Sequence, residues 1–169
     1  MVIPLAAGVI DDLQAAAGGS VSIVGVFGGC EYVSDTTGKP VWSNYWPGSG
    51  ADSDYPVKAF VYDDPNQLFR IATSNVVASL NTEAEVRTSV FANIALATGN
   101  SGSTSTGLSS ATADLNTVNT TNTLALRIMG ILEDPANSDF TSAGIPLIVR
   151  INNHFNAPTG SIAAGTVST

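Results

Sequence analysis

Positive charge is scarce in this chain. Six lysines and arginines stand against fourteen aspartates and glutamates, for a net charge of −8 over 169 residues. The six, Lys39, Lys58, Arg70, Arg87, Arg127 and Arg150, are scattered, and four of them lie inside strand- or helix-like runs, so no basic stripe is visible. Phosphate backbones are held by clustered Lys and Arg, and nucleic acid is therefore not an expected partner. Cysteine is almost missing: Cys30 is alone, which excludes an intramolecular disulfide and a disulfide-stapled scaffold and fits assembly in a reducing cytoplasm. Long apolar runs are missing too. No stretch approaches the roughly eighteen apolar residues of a membrane-spanning helix, and a membrane is not an expected partner. The opening "MVIPLAAGVIDDLQ" lacks a positively charged leader and soon meets Asp11 and Asp12, so it reads as a docking arm or a buried first strand rather than a secretory signal.

What is present is β-forming sequence broken by polar turns. "SVSIVGVFGGCEYV" (20–33) reads as a strand apolar on both faces, with Gly28-Gly29 predicting a bulge or a close approach of backbones. "SDTTGKP" is a turn, and "VKAFVY" and "LFRIA" are two further strands. Between these two lies Asp63-Asp64-Pro65-Asn66. Pro65 fixes φ and donates no hydrogen bond, and Asn66 tolerates a left-handed backbone, so the knot predicts a tight hairpin or a sheet corner. A metal site is the rejected alternative, because neighbouring carboxylates on an extended chain point to opposite sides and no Asp-x-Asp-x-Asp-Gly loop is near. "TEAEVRTSVFANIA" (82–95) starts as a helix: Thr82 and Glu85 form a capping box, and Val86, Val90 and Ile94 recur at helical spacing. Residues 99–123, beginning "GNSGSTSTGLSSATADL", read as a polar low-complexity loop. "LALRIMGIL" and "IPLIVRINN" are strands, the second with Ile145, Leu147, Val149 and Ile151 on one face.

The expected organisation is an N-terminal docking arm at 1–19, a β-rich domain at 20–155 and a flexible tail at 156–169. The fold class is mainly β, a compact sandwich- or barrel-like domain with short helices and long polar loops. "IVGVFGGCEYVSD" followed by "YPVKAFVYDDPNQ" is echoed by "IMGILEDPANSD" followed by "IPLIVRINNHFN". The echo is either a duplicated β-unit or a chance likeness of short apolar runs.

No catalytic pattern emerges. His154, the single histidine, has no local acid at triad or metal-ligand spacing and reads as a hydrogen-bonded turn residue. Cys30 reads as a buried small hydrophobe, and a Cys30–His154 nucleophilic pair is the remote alternative. The serines have no nucleophile elbow around them, and the Gly-rich tract has no phosphate-loop lysine. No enzyme activity, catalytic residue, metal or cofactor is expected. The aromatic cluster is the strongest positive signal. Both tryptophans, with Tyr45 between them, stand in "VWSNYWPGSG". They read either as core or as an anchor at an interface, where Trp and Tyr dominate binding energy.

The stretch from "GVFGGCEYV" through "YWPGSG" to "VYDDPNQLFRI", with "LRIMGILEDPANSD" and "LIVRINNH" later, resembles a group of head-associated structural proteins of tailed bacteriophages. The resemblance covers roughly residues 23–71 and 124–154. It rests on Gly25, Phe27, Tyr45, Trp46, Pro47, Tyr62, Asp63, Asp64, Pro65, Asn66, Gly130, Asn152 and His154. Such proteins often carry a longer N-terminal segment than "MVIPLAAGVIDDLQAAAGG". The resemblance implies a capsid decoration, or cement, protein with a β-tulip-like domain, similar at the level of fold to the small trimers that cap three-fold axes of lambda-like heads. It implies assembly in the host cytoplasm, a place on the outer surface of the virion capsid, and head stabilisation. The implied partners are the major capsid protein and further copies of the chain, as a homo-oligomer, most simply a trimer. The interface residues expected are Val2, Ile3, Pro4, Leu5, Val9 and Ile10 of the arm, with Trp42, Tyr45 and Trp46. The alternative reading is a surface-binding β-domain, such as a fibre, adhesin or carbohydrate-binding module, that stacks sugars on the Trp42–Trp46 segment.

Overall fold

The computed structural model describes residues 1–4, 9–13, 22–97, 102–103, 105–133, 135 and 139–157. Leu5 and residues 158–169 of the expected tail lie outside the described residues. The chain is mainly β, with three antiparallel sheets. β1 (Val2–Pro4) and β2 (Ile10–Asp12) form a two-stranded hairpin. β3 (Val26–Val33), β4 (Pro40–Ser43) and β5 (Lys58–Tyr62) form a three-stranded sheet in the order β4-β3-β5. The third sheet holds β6 (Leu68–Ala72), β7 (Asn93–Leu96), β8 (Ala113–Asn119), β9 (Leu126–Ile131) and β10 (Pro146–Ile151), in the order β6-β10-β9-β7-β8.

The core lies on one face of the five-stranded sheet. Ile145, Leu147, Val149 and Ile151 alternate inward, as their period of two requires, and meet Leu126, Ile128, Ile94, Ala113 and Leu115. Val86 of the helix α1 (Glu83–Thr88) and Ile23 complete the cluster. The sheet curls until its two edges meet at one end. There Thr73, just past β6, bridges Ala113 at the start of β8, and the Ser74 N–H donates to the Ala113 carbonyl at 2.8 Å. The Asn75 side chain continues the seam, accepting from the Leu115 N–H at 2.9 Å and donating to Asp114 Oδ1 at 2.7 Å. The contact is one bridge wide, so the strands are barrel-like without closing a barrel.

The bulge expected at Gly28-Gly29 is present: the β3–β5 register shifts between Phe27 and Gly29. The Asp63–Asn66 knot is a corner. It takes the chain from β5 in one sheet to β6 in another, with the Asn66 N–H donating to Asp64 Oδ1 at 2.8 Å and the Gln67 N–H to the Asp64 carbonyl at 3.1 Å.

Three sequence expectations need correction. The helix begins at the Thr82–Glu85 capping box but ends at Thr88 rather than near Ala95. Ser89 Oγ donates to the Val86 carbonyl and Thr88 Oγ1 to that of Glu85, and Phe91 then takes a left-handed φ of 71°. Sheet pairing claims Asn93–Leu96, and Ile94, expected on a helix face, is buried from a strand. The polar stretch 99–123 is not all loop. Residues 113–119 form β8, because Ala113, Leu115 and Thr117 alternate against Asp114 and Asn116 and carry the apolar side chains of Ala113 and Leu115 into the core. The N-terminal segment is built partly into the chain's own fold. The Val2 N–H donates to the Gly25 carbonyl at 3.0 Å, the Val24 N–H returns to the Val2 carbonyl at 2.9 Å, and the Val2 side chain is buried.

Candidate aromatic surface and its neighbours

The small sheet carries the exposed aromatics. Trp42 stands opposite Glu31, and Phe60 stands opposite Gly29 across the β3–β5 pair, so both rings rise from one face. Their centroids are 4.5 Å apart at 37°. Tyr62, two residues beyond Phe60, adds a third ring to that face. Glycine makes the arrangement possible. A Cβ on Gly28 would come within 2.9 Å of Tyr62 Cε2, and one on Gly29 would sit 2.9 Å from the Ser43 carbonyl oxygen and 3.7 Å from Trp42 Cζ2. Without side chains at these two positions the rings lie low over the β3 backbone. Trp42 remains 63 % exposed, Tyr62 62 % and Phe60 39 %. Trp42 and Phe60 touch and Tyr62 shares their face, so exposed aromatic surface is gathered on one side of the small sheet.

The "VWSNYWPGSG" cluster is divided by the fold. β4 ends at Ser43, and the Tyr45 N–H donates to Ser43 Oγ at 3.2 Å as the chain turns. Trp46 is thereby carried to the opposite side of the sheet, where it meets Tyr32 edge-on with centroids 5.7 Å apart. Trp46 is 44 % exposed and Tyr45 is half-buried. Asn44, just before Tyr45, donates from Nδ2 to the Thr106 carbonyl at 3.2 Å and ties the polar loop to the segment. Phe60 and Tyr62, missed in the sequence because they read as ordinary strand residues, complete the face that Trp42 begins. The alternation of "KAFVY" was the available signal, since it placed Lys58, Phe60 and Tyr62 on one side.

Among the other expected interface positions, Val2 faces inward, Ile3, Pro4 and Ile10 are half-buried, and Val9 is exposed. Cys30 is buried, its Sγ lies 3.4 Å from the Tyr45 carbonyl, and burial pushes the thiol pKa up. His154 is also buried. Its Nδ1 accepts from the Asn156 N–H at 3.0 Å, and Nε2 has no hydrogen-bond partner among the described residues. Each of the two groups is thus held by backbone, and among the described residues no hydrogen bond joins them. Burial lowers the His154 pKa, while Asp63 and Asp64 at the corner draw it the other way. Asn152 anchors the turn before β9 by donating to the carbonyls of Asn122 and Leu124, both at 3.0 Å.

Three of the arginines scattered in the sequence are gathered in space. Arg150 on β10 stands directly opposite Arg127 on β9 and opposite Leu68 on β6, while Arg70 on β6 stands opposite Ile148. Since 148 and 150 share a face, three of the six basic residues occupy the outer face of the five-stranded sheet, the reverse of the core. Like charges directly opposite on neighbouring strands destabilise a sheet by a fraction of a kcal/mol, ~0.2–1. Among the described residues the ion pairs belong to Arg87, with Glu83 and Glu133, and none involves these three. No family model, curated protein or solved structure matches the chain.

Proposed function

We propose that this protein is a structural component of a tailed-bacteriophage head, a decoration protein that binds the outside of the expanded shell and stabilises it. The observation that carries the reading is the open face of Trp42, Phe60 and Tyr62, three exposed rings on one side of an antiparallel sheet. Buried aromatic anchors supply most of the energy of protein interfaces, and a glycine-floored sheet presents them with little entropy left to lose. The sequence resemblance to head-associated phage proteins supplies the partner, the major capsid protein, and an assembly of several copies, most simply a trimer. Binding the expanded shell in preference to its alternatives stabilises it by mass action.

A sugar-binding surface is the competing use of the same rings. The exposed Trp42 ring face is itself sufficient for stacking a pyranose, so experiment separates the two readings. The deciding experiment is co-sedimentation of the purified protein with expanded heads lacking it, followed by cryo-electron microscopy. Added density on the outer surface, lost with Trp42→Ala, supports the proposal. Failure to bind heads, with specific retention on a glycan array, overturns it in favour of the sugar reading.

A further inference from the structure

We propose that the outer face of the five-stranded sheet, centred on Arg127 and Arg150 with Arg70 at its rim, is a docking surface for an acidic segment of a partner protein. This face is distinct from the aromatic one, and the inference holds whether or not the chain decorates a head.

Three observations carry it. The first is placement. Arg127 and Arg150 face each other across the β9–β10 pair, and Arg70 lies diagonally across the β6–β10 pair. Folding alone gains nothing from gathering like charges in this way. The second is orientation. Arg127 Nε donates to Asn93 Oδ1 at 3.1 Å, and Asn93 is itself buried and fixed by donating from Nδ2 to the Thr121 carbonyl at 3.0 Å. One edge of the guanidinium is thus held by a buried amide. Among the described residues its terminal nitrogens have no hydrogen-bond partner, and an arginine fork binds a carboxylate in a bidentate manner. The third is company. Leu68, half exposed, and Ile148 flank the arginines directly, so the face is mixed guanidinium and aliphatic. Arginine beside apolar surface is the composition of protein interfaces rather than of polyanion grooves.

Charge selects the occupant. The chain carries −8, and setting aside the three positive charges of this face leaves −11 on the rest of the molecule. A nucleic acid, with a negative charge about every 1.7 Å along the duplex, would meet that field on every side of the patch. A short segment carrying two or three carboxylates among aliphatic residues satisfies the patch without crossing the field. Complementarity of this kind gives orientation and partner choice.

The test uses the full chain and a fluorescein-labelled synthetic peptide of glutamates interspersed with leucines, read by fluorescence anisotropy at low and at physiological salt. We expect saturable binding that weakens with salt and is absent for the same peptide with glutamine in place of glutamate. Arg150→Gln, which relieves the repulsion with Arg127, should melt no lower than the parent yet bind at least tenfold more weakly. Arg70→Gln, at the exposed rim, should weaken binding with an unchanged melt, so the result does not depend on one variant folding. Peptide binding unaffected by both substitutions overturns the proposal. So does tighter binding of duplex DNA than of the peptide, or sedimentation showing that the substitutions abolish self-association while leaving peptide binding intact.

Discussion

His154 is the residue at which burial and charge meet most directly. Its Nδ1 accepts the Asn156 N–H, so the neutral ring carries its proton on Nε2, and a second proton would have to displace that hydrogen bond in a dry site. Burial lowers its pKa in the fold, with Asp63 and Asp64 opposing. The unfolded chain takes up a proton near the ordinary value of about 6.5. Between that value and the lower folded one, the unfolded state binds more protons, and stability therefore rises with pH. The contribution is complete above about 6.5 and is lost as pH falls through the folded pKa. Urea midpoints should drop between about pH 7.5 and 5.5. His154→Asn keeps an acceptor for the Asn156 N–H and should flatten that drop; equal slopes in parent and variant would show that the ring does not titrate as a buried group. The sequence read His154 as a hydrogen-bonded turn residue, and its Nδ1 does accept a local backbone hydrogen bond. It did not show how deep the ring sits, since that depth comes from the bridge between His154 and Ile23, residues far apart in the chain.

At the level of elements, local chemistry was read well where it was self-contained. The capping box is one such case: Glu85 Oε2 accepts from the N–H groups of Asn81 and Thr82, at 3.2 and 3.1 Å, and the Glu85 N–H donates to Thr82 Oγ1 at 3.3 Å. The hydrogen bonds from Thr82 and Asn81 hold the Glu85 carboxyl below its usual range. Thr82→Ala should cost about 1 kcal/mol in a denaturant melt. The end of the same helix was misread, because Val90 and Ile94 fit a helical period and a strand period equally well over so short a run, and only pairing with β8 and β9 decides between them. β8 was hidden for the opposite reason. Its polar residues outnumber the two that reach the core, so composition outweighed alternation. For the three-stranded sheet, Trp42→Ala should change stability by about 1 kcal/mol or less, the scale of one aromatic pair at an exposed site. A much larger loss in thermal melts would place Trp42 in the core and remove the basis for a docking face.

At the scale of the molecule, the strand order could not be read from the chain, and with it went the arginine face: Arg70, Arg127 and Arg150 become neighbours only once β6, β10 and β9 are placed side by side. The N-terminal segment also changes its meaning at this scale. Val2 is a buried partner of Gly25, where a Cβ would lie 2.1 Å from the Tyr62 carbonyl oxygen, so the backbones here are close-packed and specific. Removing residues 1–4 should therefore lower monomer stability by about 2 kcal/mol, the scale of burying one aliphatic side chain. Unfolding curves of the truncated chain check this, and an unchanged midpoint would return the segment to the role of a free arm. The seam from Thr73 to Asn75 against Ala113 to Leu115 has a consequence for aggregation. An open sheet edge is a template on which strands of other chains can add. In the larger sheet the two edges spend part of that capacity on each other. The smaller sheet is blunted at β4 by Pro40, which has no N–H to offer, and at β5 by the exposed Lys58. Strand exchange and fibril growth on heating should thus begin with opening of the seam, and a cross-link between residues 75 and 114 should delay them without altering either exposed face.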